Sequence, residues 1–146
     1  MSAAATLAFD RPPVWTILLV EDEALVREIT RHVLETAGYL VLEASGPEQA
    51  LELLRRHEGP VHLLLTDMVM PVMNGAELAA QLKALRPELA TVFMSGYAGP
   101  LHSNAGVPSW HIQKPFTVGI LLTRIAEALA FPYGNTAGVP ASRLAI

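Results

Sequence analysis

Residues 61–71 (VHLLLTDMVMP) carry an apolar run into a lone carboxylate, Asp67, and on into a loop that continues through Pro71 to Asn74 and Gly75. Alone, such an aspartate is most often an Asx-turn or a helix cap. Three other groups give it company. Ile17-Leu18-Leu19-Val20 ends in Glu21-Asp22-Glu23, a run through Phe93-Met94 ends in the hydroxyl of Ser95, and a short run near Ile112-Gln113 ends in the ammonium of Lys114, with Pro115 behind it. Carboxylates are ligands for hard divalent cations, and a hydroxyl and an ammonium hold anionic oxygens.

Other chemistries are poorly supplied. The chain has no cysteine, which excludes disulfides, thiolate zinc sites and cysteine nucleophiles and fits a reducing compartment. Its five histidines, His32, His57, His62, His102 and His111, show no close metal-ligand spacing. The net charge is −4 and no stretch clusters Lys and Arg, so direct DNA binding is not expected. No apolar run approaches the roughly 18 residues of a membrane span. Residues 1–13 lack the basic start and apolar centre of a secretory signal, and a cytoplasmic location is expected.

The elements that must position these groups follow from hydrophobic patterning. At 146 residues and 51% apolar the chain fits one domain with a substantial core. Apolar, β-branched runs alternate with helix-period segments, five of each kind, which predicts βαβ units around a parallel sheet. Strands are expected over 14–20, 39–44, 61–67, 90–94 and 110–113. The first helix is expected to bury Val26, Ile29, Val33 and Ala37 and to stop at Gly38. Pro47 suits the first turn of the second. Asn74-Gly75 opens the third, with Leu78, Leu82 and Leu85 aligned, and the last aligns Val118, Leu121, Leu122, Ile125 and Leu129. Near-continuous apolar strands imply helices on both faces, an open doubly wound α/β sandwich. The expected organisation is an extension over 1–13, a domain over 14–130 and a flexible Gly/Pro/Ala/Ser-rich tail over 131–146.

In such sheets the ligand site lies beyond the carboxyl ends of the strands. Those ends carry Glu21-Asp22-Glu23, Asp67, Ser95 and Lys114. Crowded carboxylates repel one another unless a cation intervenes, and Mg2+ suits this donor set. A divalent ion, an ammonium and a hydroxyl around one carboxylate make a receptor for a phosphoryl group transferred onto it.

These residues resemble the receiver domain of two-component response regulators, over 16–129. The resemblance rests on Ile17-Leu18-Leu19-Val20-Glu21-Asp22-Glu23, the Asp67 loop to Asn74-Gly75, Met94-Ser95-Gly96-Tyr97-Ala98, and Gln113-Lys114-Pro115-Phe116, in that order. It implies a flavodoxin-like sheet of order 2-1-3-4-5 and a single-domain, chemotaxis-regulator-like phosphorelay protein. By the same resemblance Asp67 accepts phosphate from a sensor histidine kinase or histidine phosphotransfer protein. Asp22 and Asp67 ligate Mg2+, with Glu21 acting through water and the Val69 carbonyl completing the protein ligands. Ser95, Lys114 and the Met68 amide hold phosphoryl oxygens, and Pro115 occupies the family's cis-proline position. Such a protein is not an enzyme on external substrates, catalysing at most its own phosphorylation and dephosphorylation, and it signals to a downstream protein.

Two departures concern the outward signal. His111 stands where the family carries an aromatic switch residue that moves with Ser95. The segment 98–109, where the family has a helix, holds two glycines and two prolines and is expected to be a shortened helix or a loop. Among other functions, a receiver module of a hybrid histidine kinase shares the same residues. An aspartyl-phosphate phosphatase would need a second acid two residues after Asp67, where Val69 stands. A flavodoxin-like nucleotide binder would need a small polar loop in place of Glu21-Asp22-Glu23. A constitutive interaction module would have no need of the intact acidic, hydroxyl and ammonium set.

Overall fold

Five apolar runs become strands β1 (Thr16–Val20), β2 (Leu40–Ala44), β3 (Leu63–Asp67), β4 (Ala90–Ser95) and β5 (Trp110–Gln113). They form one parallel sheet of order β2-β1-β3-β4-β5, the expected architecture. The computed structural model describes residues 14–96 and 110–131. Among these, four helices are present: α1 (Ala24–Thr36), α2 (Pro47–Arg56), α3 (Gly75–Leu85) and α4 (Val118–Ala130). None is long and apolar enough to cross a membrane.

Alternation along each strand sends neighbouring side chains to opposite faces. Leu18, Val20, Leu64 and Phe93 join Leu54 of α2 and Leu78 and Leu82 of α3 in one core. Ile17, Leu19, Leu65 and Val92 join Leu34 of α1 and Leu121 and Ile125 of α4 in the other. Each such fully buried aliphatic side chain contributes about 1.5–3 kcal/mol, which explains why β1, β3 and β4, buried along their whole length, are mostly apolar.

Local signals end the elements where the residues require it. Gly38, at φ 102, takes the left-handed turn after α1, and Pro47 opens α2. Asn74 Oδ1 accepts from the Glu77 amide at 2.8 Å while Glu77 Oε1 accepts from the Asn74 amide at 3.1 Å, a capping box that fixes the start of α3.

The expected inward face of α1 is corrected. Thr30 and Leu34 are its buried residues, while Leu25 (67% exposed) and Ile29 (56%) face outward, and Ala37 is exposed. Leu34 packs into the core beneath β1 and sets the rotation of the helix, so that Val33 lies against the core and Val26 is half-buried while the rest of the expected stripe faces out. Leu85 and Val118, at helix ends, are likewise largely exposed. Phe131, expected as the start of a tail, instead caps α4 and accepts a hydrogen bond from Trp110 Nε1 at 3.0 Å. The expectations for 1–13, 98–109 and 132–146 lie outside the described residues.

Candidate functional site

The strand order decides which chain ends meet. β1 and β3 are neighbours with Val20 paired to Thr66, so Glu21 and Asp67, each one residue further on, leave the sheet side by side. β3 pairs Asp67 with Met94, β4 pairs Ser95 with Gln113, and the Lys114 amide donates to the Ser95 carbonyl at 2.7 Å. The Lys114–Pro115 bond is cis. Lys114 Nζ lies 2.7 Å from Asp67 Oδ1 and 2.9 Å from Glu21 Oε1. Glu21, Asp22 and Asp67 each offer a carboxylate oxygen, all within 4.8 Å of one another.

Burial differentiates the acids. Glu21 is 0% exposed, and burial alone would raise its pKa. Its contacts with Asp67 and Lys114, and the Glu23 amide donating to Oε2 at 3.1 Å, more than offset that and hold it below the ordinary glutamate value. Asp67 goes the other way. Burial, and then the adjacent Glu21, push its carboxyl up to about 7 against the pull of Lys114. Burial would lower the Lys114 pKa, but the two carboxylates outweigh it and hold the ammonium above the ordinary lysine value. The site thus retains a proton near Asp67 around neutrality because one ammonium does not balance the acids. A hard divalent cation fits this donor set, with oxygen ligands only and excess negative charge.

The loop after β3 is built by close approach. A methyl group on Gly75 would overlap the Asp67 carbonyl oxygen and press on Met68 Cα, so only glycine fits there. The Gly75 amide donates to the Met68 carbonyl at 2.8 Å, and the Met68 amide donates to the Met94 carbonyl at 2.8 Å. That Met68 N–H, expected to hold a phosphoryl oxygen, is thus committed to the end of the sheet in this structure. Val69 projects its side chain into solvent, 68% exposed.

Ser95 is buried at the end of β4. His111, opposite Phe93 in the β4–β5 register, stacks on that ring with centroids 5.5 Å apart and planes inclined by 28°. Burial, and secondarily Arg124, hold its pKa below the ordinary histidine value. Trp110 lies on the opposite face, in the core with α4. The structure therefore gathers Glu21, Asp22, Asp67 and Lys114 in one cluster, with Ser95 joined to it through the Lys114 amide, and places His111 two residues before the end of β5.

Two residues of this region are not legible as such in the sequence. Gly75 read as a helix opening, and its contact with Asp67 depends on the fold. Arg27 donates from Nη1 to the Glu21 carbonyl at 2.7 Å. The one available signal was a cation near the positive end of a helix, where the dipole disfavours it.

The family model for the response regulator receiver domain matches residues 17–126. The chain is 37% identical over 116 residues to the response regulator receiver protein CpdR of Brucella abortus (strain 2308), covering 77% of this chain and 95% of that protein. It is 36% identical over 117 residues to the sensor kinase CckA of the same strain, covering 78% of this chain but 12% of the kinase. The solved receiver domain protein (CheY-like) from Methanospirillum hungatei JF-1 superposes with a TM-score of 0.71 at 31% identity, covering 81% of this chain and 95% of that one.

Proposed function

The chain belongs to the response regulator receiver family and is a phosphorelay signalling protein, and from that premise we propose that Asp67 is its phosphoacceptor. The donor is a phosphohistidine on a sensor histidine kinase or histidine phosphotransfer protein. A carboxylate oxygen of Asp67 attacks the phosphorus, the P–N bond breaks as the P–O bond forms, and the electron pair returns to the donor imidazole.

The observation that carries this reading is the Lys114 ammonium spanning Asp67 and Glu21, 2.7 and 2.9 Å away. It faces the place where negative charge accumulates as the phosphoryl group arrives, and it is already oriented, so little reorganisation is needed during transfer. When bound, Mg2+ on Asp22, Asp67 and the Val69 carbonyl, with Glu21 acting through water, would neutralise the acids and the phosphoryl oxygens. Glu21 holds Lys114 in place. The Ser95 hydroxyl donates to a phosphoryl oxygen. Ser95 and His111, beside Phe93, carry the change outward, biasing an equilibrium between two surface conformations. Val69, two residues after Asp67, has no proton to give a leaving group, so hydrolysis of external phosphate esters is not part of this function.

Intact mass after incubation with acetyl phosphate and Mg2+ tests the assignment. The wild-type chain gains one phosphoryl group and Asp67→Asn gains none; no adduct on the wild type, or an equal adduct on the variant, overturns it.

A further inference from the structure

We propose that Arg27 is a positioning residue for the divalent-cation site: its guanidinium fixes the backbone from which Glu21 and Asp22 project, and Glu43 fixes the guanidinium. This rests on reading the acidic cluster as a Mg2+ site. Glu21 is held through its own side chain by Lys114 and by the Glu23 amide. Asp22 is exposed, and among the described residues its side chain makes no hydrogen bond or ion pair, so the main chain alone sets its direction.

That main chain is tied at several points. The Glu21 amide donates to the Ala44 carbonyl of β2 at 3.1 Å, and the Arg27 amide donates to the Glu23 carbonyl at 2.9 Å as α1 begins. Glu23, at the helix N-cap, provides no side-chain cap. The Glu21 carbonyl, part of the peptide that joins Glu21 to Asp22, is held by Arg27 Nη1 at 2.7 Å. Arg27 Nε in turn lies 3.3 Å from Glu43 Oε1, while Arg31, one turn along α1, takes the other oxygen of the same carboxylate at 2.9 Å. Glu43 is paired with Leu19 on β1, so the clamp is anchored in the sheet. A planar guanidinium can serve a carbonyl and a carboxylate at once, which an ammonium on a flexible stem does poorly.

Charge and geometry predict opposite outcomes. As a cation near the acidic cluster, Arg27 opposes Mg2+ binding, and its removal would tighten it. As a positioning residue it supports binding, and its removal loosens it. Loss of an outer partner of a metal ligand typically weakens affinity about 10- to 100-fold.

Mg2+ titration calorimetry on the full chain, well below the melting transition of each variant, decides between them. Arg27→Ala is expected to weaken Mg2+ binding about tenfold, with Arg27→Lys intermediate. Unchanged or tighter affinity in Arg27→Ala overturns the proposal, even if that variant melts earlier. Should Arg27→Ala not fold, Arg27→Lys decides: weaker binding supports the role and wild-type affinity overturns it. A wild-type chain that binds no Mg2+ overturns the metal reading and this inference with it, whereas wild-type binding matched by the variants removes Arg27 alone.

Discussion

The mouth of the sheet at β1 and β3 and the edge at β5 are held by different physics. At the mouth, Glu21, Asp67 and Lys114 form a network closed by two short ion pairs and a backbone amide, with Glu21 fully buried. In so low a dielectric, each partner is strongly held and expensive to remove. At the edge, His111 stacks on the Phe93 ring, and Trp110 is buried in the core with α4, where its indole N–H donates to the Phe131 carbonyl and the Arg124 guanidinium lies 5.7 Å from its ring. Ring contacts of that kind are worth roughly 0.5–1.5 kcal/mol apiece beyond the apolar area they bury. A receiver must catch a phosphoryl group in a fixed geometry and then change its surface. The mouth, fixed by charge pairs, suits the first task, and the edge, held by ring packing, the second.

The largest effect should come from Lys114→Met. Removing one partner of a buried ion pair leaves uncompensated charge, and the metal-free variant should lose about 3–5 kcal/mol in a urea titration; a loss below about 1 kcal/mol would mean the mouth is no stiffer than the edge. Gly75→Ala comes next. The added methyl forces the Asp67–Met68 backbone to move, with an expected loss of about 2 kcal/mol and a fall in acetyl phosphate labelling, whereas retained stability and labelling would show that the loop adapts.

Asp67→Asn probes the crowded charge itself. The carboxyl has a folded pKa of about 7 against an ordinary 3.8. Its stabilisation is therefore fully present below about pH 4 and is lost as the pH rises through 7. Glu21, with its pKa lowered, acts in the opposite sense and only at acid pH, its contribution being lost as pH falls. The metal-free wild type should consequently lose melting temperature between pH 5 and 8 relative to Asp67→Asn, by at least about 4 °C, or about 1 kcal/mol. Mg2+ should restore more of it at pH 8 than at pH 5.5, because binding displaces the retained proton. Parallel melting curves for the two proteins across this range would remove the basis for a strained acid cluster. The smallest effect belongs to the edge: His111→Ala should cost about 1 kcal/mol or less, and a loss matching Lys114→Met would erase the contrast.

Much of this was legible in the chain. Leu63-Leu64-Leu65 and Ile17-Leu18-Leu19 read as strands covered on both sides, and in a parallel sheet the residues at their ends fall at one edge. Pro47, Gly38 and Asn74 punctuate the helices through local stereochemistry that no tertiary contact overrides. Other features were not legible. Ile29 and Ala37 were expected inside and face out, because the rotation of α1 is set by Leu34 beneath β1. The Met68 amide was expected in the pocket and is bonded to Met94, since a backbone donor goes to whichever carbonyl the adjacent strand presents.

The sequence by itself determined the kinds of groups that meet, the strands that carry them and the family they resemble, because residue type, period and local turn chemistry are properties of neighbours along the chain. The tertiary structure decided which of those groups touch. Lys114 reaches Glu21 across 93 residues while Asp22, beside them, stays exposed, and Arg27, itself paired with Glu43, grips the peptide between the two acids. Such contacts depend on the order of the strands and the rotation of a helix against them, which packing across the whole sheet settles.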